Sequence, residues 1–84
     1  MKSLGKKTTL QPVEVLDRAM EFFGPAGLGL APRGFNGDCL TFEGGGGDVS
    51  IEACPQGVGH SGSDVRLTAL EWEEPAHAFM ADVI

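Results

Sequence analysis

Residues 39–54 read CLTFEGGGGDVSIEAC, and the way this stretch folds back on itself decides the architecture of the whole chain. Two β-prone runs, Cys39 to Glu43 and Val49 to Cys54, flank Gly44 to Gly47. Glycine reaches the positive φ values of a tight hairpin turn without steric cost. Pairing Phe42 with Val49 and Leu40 with Ile51 gathers four large apolar side chains on one face, because successive side chains of a strand point to opposite sides. The other face then receives Cys39, Thr41, Ser50, Glu52 and Cys54.

Working outward, the run QGVGHSGSD after Pro55 reads as a surface loop. Asp64 to Trp72 reads as a long strand that alternates Val65, Leu67 and Ala69 with Arg66, Thr68, Leu70 and Trp72. Glu73-Glu74-Pro75 carries the acid and proline signals of a helix start, and Ala76, Phe79, Met80 and Val83 supply an apolar side for that helix. Upstream, Leu28 and Leu30 alternate with glycine in a segment that runs to the turn-forming Asn36-Gly37. Placing both leucines on the apolar face requires a three-residue turn, 36–38, since a two-residue turn reverses their parity.

Pro12 to Phe23 is the strongest helix signal. Val13, Leu16, Met20 and Phe23 recur at helical spacing, Val15, Ala19 and Phe22 widen the stripe, and Glu14, Asp17, Arg18 and Glu21 are polar. Proline suits the first turn, and Gly24-Pro25 stops the helix. Thr8, Thr9 and Leu10 mark a first strand within residues 6–11, leaving residues 1–5 as an N-terminal tail. The expected fold is therefore α+β, in the order β-α-β-β-β-β-α. A mainly antiparallel twisted sheet carries both helices on one face, all within one domain of residues 1–84. The predicted core comprises Leu16, Met20, Phe23, Leu40, Phe42, Val49, Ile51, Val65, Leu67 and Phe79.

In this order, and in the run from GGGGDVSIEACP to VRLTALEWEEPAHAFM, the chain resembles small uncharacterised bacterial proteins with a TATA-binding-protein-like or helix-grip-like fold. The resemblance implies that layout over most of the chain. It brings no catalytic residues and no function.

Charge excludes more than it identifies. Lys2, Lys6 and Lys7 are the only charges in the first seven residues, whereas residues 8–84 hold Arg18, Arg33 and Arg66 against all twelve acids, a net charge of −9. Nucleic-acid backbones are bound by neutralising phosphate with Lys and Arg, so a body this acidic disfavours that partner. No apolar stretch approaches the ~20 residues that span a bilayer, and no secretory apolar region leads the chain, so a cytoplasmic setting is expected. Cys39 and Cys54 are then expected as thiols.

No motif assembles chemistry. Gly44 to Gly47 lack the Lys-Ser or Lys-Thr of a phosphate loop and are bounded by Glu43 and Asp48. Gly24 to Gly29 follow a helix instead of opening one, which is the wrong context for a dinucleotide fingerprint. Cys39, Cys54, His60 and His77 match no compact zinc spacing, and neither cysteine has a histidine with an orienting third group in sequence reach. The sequence thus points to no cofactor, no metal and no catalytic residue. It favours a non-enzymatic binding or assembly module, with a second copy or another protein as partner. The alternative is a small-ligand carrier or minor enzyme with a pocket between a curved sheet and the first helix. Parity nominates Arg66, Thr68, Leu70 and Trp72 as the binding face, since they leave the core if Val65, Leu67 and Ala69 enter it, whereas a bulge near Ala69 would turn Trp72 inward against Phe79 instead.

Overall fold

The helix predicted from residue spacing is present at Pro12–Phe23 (α1). Its first turn tolerates Pro12 because no intrahelical partner awaits that nitrogen. The Gln11 N–H donates to Glu14 Oε1 at 3.4 Å, and the Gly24 N–H closes the last turn on Met20 O at 3.0 Å. Val15, Leu16, Ala19 and Phe23 form the buried stripe. Met20, expected in the core, instead lies 37% exposed, and Val13 is 64% exposed. The buried stripe is centred on Val15, Ala19 and Phe23, which leaves both of those side chains on the flank of the helix.

The computed structural model describes residues 2–36, 39–55 and 62–84. Five strands, Lys2–Thr8 (β1), Ala31–Asn36 (β2), Cys39–Gly44 (β3), Gly47–Pro55 (β4) and Ser63–Leu70 (β5), form one antiparallel sheet in the order β1-β5-β4-β3-β2. A second helix, Glu73–Ala78 (α2), continues into a π-helical turn over Phe79–Val83. The layout is α+β in the predicted order. The pairs Phe42 with Val49 and Leu40 with Ile51 are those read from the hairpin sequence.

The first strand begins earlier than propensity placed it. Residues 2–8, not 6–11, pair with β5, from Lys2 opposite Ala69 to Thr8 opposite Ser63. The long β5 offers a continuous ladder, and long-range pairing outweighs the weak local preference of Thr9 and Leu10. β2 also departs from expectation. Asn36 pairs with Cys39, so only residues 37 and 38, which lie outside the described residues, separate the two strands. The parity error of such a turn is corrected by a bulge at Arg33, where Pro32 pairs with Phe42 but Gly34 with Thr41. The extra residue returns Leu30 to the core at 2% exposure, whereas Leu28 remains in the preceding turn at 40%.

Leu40 and Phe42 of β3, Val49, Ile51 and Ala53 of β4, and Val65, Leu67 and Ala69 of β5 are buried against α1, α2 and the π-helical turn. Phe22, Phe23, Phe42 and Phe79 form a ring cluster with centroids 4.9–5.7 Å apart. The C-terminal carbonyls are held by the elements beneath them. Lys6 Nζ donates to Met80 O at 2.7 Å, Thr8 Oγ1 to Ile84 O at 3.0 Å, and Arg18 Nη1 to Val83 O at 3.3 Å. Beside them Ser63, fully buried, donates its hydroxyl to Leu10 O at 2.7 Å. Ser63→Ala is therefore expected to cost about 1–2 kcal/mol, because a carbonyl loses its donor in the interior. Urea denaturation should show a lower midpoint at an unchanged slope.

Candidate functional site: the helix-free face of the sheet

With both helices on one side, the opposite face of the sheet is organised by strand register. One row across all five strands is Gly34, Thr41, Ser50, Thr68 and Ser3. The next row is Asn36, Cys39, Glu52, Arg66 and Gly5, and on the other side Ala31, Glu43, Asp48 and Leu70 follow. The centre of the face is thus made of short hydroxyl side chains, while longer charged ones stand beside it. A shallow depression of about 370 Å³ results, lined by Cys39, Thr41, Ser50, Ile51, Glu52, Arg66 and Thr68.

Thr41 Oγ1 and Ser50 Oγ lie 3.3 Å apart and share a hydrogen bond, and the Cys39 thiol donates to Glu52 Oε2 at 3.5 Å. Glu52 and Arg66 are directly opposed across β4 and β5, and both are exposed. At the far corner Arg33 Nε meets Glu43 Oε2 at 3.1 Å. These groups provide donors, acceptors and paired charges for recognising a surface. No group of three His, Cys, Asp or Glu side chains with metal-binding geometry occurs among the described residues. His60, one of the four residues weighed for zinc, lies outside them together with the rest of 56–61.

Of the four residues nominated by parity, Arg66 and Thr68 border the depression and half-buried Leu70 ends β5 on the same face. Trp72 does not join them. The strand stops at Leu70, and Glu71 takes a left-handed conformation at φ 75°. That residue breaks the two-residue alternation and turns Trp72 back towards the helix side, where it packs against the core. The indole Nε1–H donates to Gly44 O at 2.8 Å.

The same contact accounts for the glycine run. Gly44 pairs with Gly47, so Gly45 and Gly46 form a two-residue turn with φ of 58° and 83°. A Cβ on Gly45 would approach Trp72 Cζ2 to 2.7 Å, and one on Gly47 would press into Leu70 O. The indole and the end of β5 occupy the space that side chains would need. What could have been read from the sequence was the demand for positive φ. The close approach of Trp72 is a long-range contact that no local pattern encodes.

The space between the sheet and α1, where the carrier alternative would place a ligand, is occupied by Val15, Ala19, Phe23, Phe42 and Phe79, each 0% exposed. No helix among the described residues is long and apolar enough to cross a membrane. No family model, curated protein or solved structure matches the chain.

Proposed function

We propose that this domain is a non-enzymatic assembly module that associates through the helix-free face of its sheet, first of all with a second copy of itself. The observation that carries this reading is the depression floored by Thr41, Ser50 and Thr68 and bordered by Arg66 and Glu52. Short side chains let another surface approach the sheet closely, and their hydroxyls keep hydrogen-bonding capacity at the contact.

Charge favours a like partner on this face. The body carries a net −9 over residues 8–84. The open face sets Lys7, Arg66 and Arg33 against Glu43, Asp48, Glu52 and Asp64, so two acidic copies repel least there. In a two-fold assembly each residue meets its counterpart's neighbour. Glu52 and Arg66, opposed in one row, can then exchange partners between copies. A domain of this length buries only about 60–65% of its unfolded surface, and association adds stability that its small core does not supply. The likeness to TATA-binding-protein-like and helix-grip-like layouts belongs to the same reading, as does a reducing cytoplasmic setting for Cys39 and Cys54.

Light scattering after size exclusion tests it. The purified chain should show a dimer mass that gives way to monomer over a ~100-fold dilution. Ser50→Arg, which plants a long cation in the floor, should be monomeric throughout, with the thermal midpoint of the dilute wild-type monomer. A wild-type monomer at every concentration, or a dimer that survives Ser50→Arg, would sink the proposal.

A further inference from the structure

Arg66 and Glu52 lie directly opposite one another on β5 and β4, and both are exposed. Among the described residues the only ion pair is Arg33–Glu43, so these two charges stand side by side without forming one, and Glu52 accepts the weak bond of the Cys39 thiol. Their row continues to Cys39 on β3 and to Gly5 on β1. Gly5 stands where the fold makes no demand for glycine. Its φ is not positive, and a Cβ there would meet nothing closer than Val65 O at 3.9 Å. Glycine weakens a strand, and one that its own chain does not require commonly marks a place where another surface approaches the backbone closely.

We propose that the second copy seats on this face with the two-fold axis running parallel to the strands, between β4 and β5. The inference rests on the reading that two copies meet here, and adds the register in which they do so. Sheets packed face to face in the aligned manner keep their strands within about 30° of each other, so the axis runs either along the strands or across them. An axis over β4 sets Glu52 against the partner's Glu52, and one over β5 sets Arg66 against the partner's Arg66. An axis crossing the strands along this row does both, and one along the neighbouring hydroxyl row brings Asp48 onto the partner's Glu52. Between β4 and β5, by contrast, Glu52 meets the partner's Arg66 and Arg66 meets the partner's Glu52, so both charges of each copy gain an opposite one.

The same axis lays β3 over the partner's β1, because the strands β1-β5-β4-β3 are arranged evenly about that line. Cys39, which is half-buried, then stands over the partner's Gly5. In the next row Ser50 stands over the partner's Thr68 and Thr41 over the partner's Ser3. The bare backbone at Gly5 admits the Cys39 side chain where a larger residue would hold the two sheets apart. The hydroxyl pairs are short enough to keep the same spacing.

The test is a disulfide that this register allows and a single copy cannot form. In Gly5→Cys/Cys54→Ser the thiols are the introduced one and that of Cys39. Within one copy they lie three strand spacings apart, roughly 14 Å, beyond the ~7 Å that a disulfide can bridge. Oxidised glutathione should convert this variant, its fold checked by circular dichroism, to a covalent dimer as the glutathione disulfide is reduced to two thiols. Mass spectrometry of a tryptic digest should join residue 5 of one copy to Cys39 of the other. Independently, Arg66→Glu should weaken association roughly tenfold or more, and Glu52→Arg/Arg66→Glu should restore it. The register is overturned by a bridge from Cys39 to the partner's Cys39, by a bridge between the two introduced thiols, by a folded variant that yields no covalent dimer, or by association that Arg66→Glu leaves undiminished. Any of these, beside a wild-type dimer lost in Ser50→Arg, would remove the register and keep the shared face. A wild-type chain monomeric at every concentration would remove both and leave the face to a different partner.

Discussion

Replacing Phe42 with alanine should destabilise the domain by about 3–5 kcal/mol, the range for emptying a buried aromatic site. Phe42 is 0% exposed, sits in β3 opposite Val49, and packs against Phe23 with ring centroids 5.7 Å apart. It therefore joins the central strands to α1, and its loss opens a cavity at the meeting point of both layers. A chain of this length has roughly 4–13 kcal/mol of stability in total. The variant is accordingly expected near or past its folding threshold at ambient temperature. Urea unfolding followed by circular dichroism should show a large fall in midpoint, with Phe42→Leu retaining most of the wild-type value. Met20→Ala, at a flank position already 37% exposed, provides the contrast and should change stability far less. A Phe42→Ala effect no larger than that of Met20→Ala would mean that the two layers do not meet there.

Trp72→Ala should cost about 2–4 kcal/mol, somewhat less than a fully buried aromatic because the side chain is only half-buried. Two losses combine. The indole leaves the contact it makes over Gly45, and Gly44 O loses its donor at 2.8 Å. The tip of the β3–β4 hairpin is then no longer pinned to the junction between β5 and α2. Trp72 is the only tryptophan in a chain without tyrosine, so its fluorescence reports this corner alone. In the wild type the emission should be partly shielded from a soluble quencher at every protein concentration and become fully accessible on unfolding. Trp72→Phe should recover packing but not the hydrogen bond, and should fall between the wild type and Trp72→Ala. If Trp72→Ala kept full stability and lost only self-association, the indole would belong to an interface.

These two residues also mark how far local pattern reaches. Phe42 was readable because its burial follows from alternation within one hairpin, and both strands agree on the register around Val49 and Ile51. Trp72 was not. Extending the alternation of β5 by two residues carried it to the open face, but Glu71 at φ 75° interrupts the strand. No glycine announces that conformation. It persists because packing of the indole on the core and the bond to Gly44 O hold it in place. The bulge at Arg33 was hidden in a similar way. The sequence required one extra residue somewhere between Leu30 and Cys39, and the turn was the natural place to put it.

Of the candidate site, Arg66 and Thr68 were legible from parity, and Thr41 and Ser50 from the hairpin register. Their alignment into one row with Gly34 and Ser3 was not, because it depends on which strands become neighbours.

The amino-acid sequence by itself determined the α+β class, the order of elements, the hairpin register and the net acidity of the chain. Each of these follows from periodicity, turn chemistry or charge, which act over a few residues or over the whole chain at once. Tertiary structure alone decided that Lys2–Thr8 would be an edge strand, that Met20 would lie at the surface, and that Trp72 would close the hairpin tip. In each case the outcome was set by competition among long-range contacts: seven ladder positions on β5, the burial of Val15, Ala19 and Phe23 beneath α1, and the space above Gly45. Such contacts join residues distant in sequence, and their free energy depends on geometry that exists only once the layers have packed.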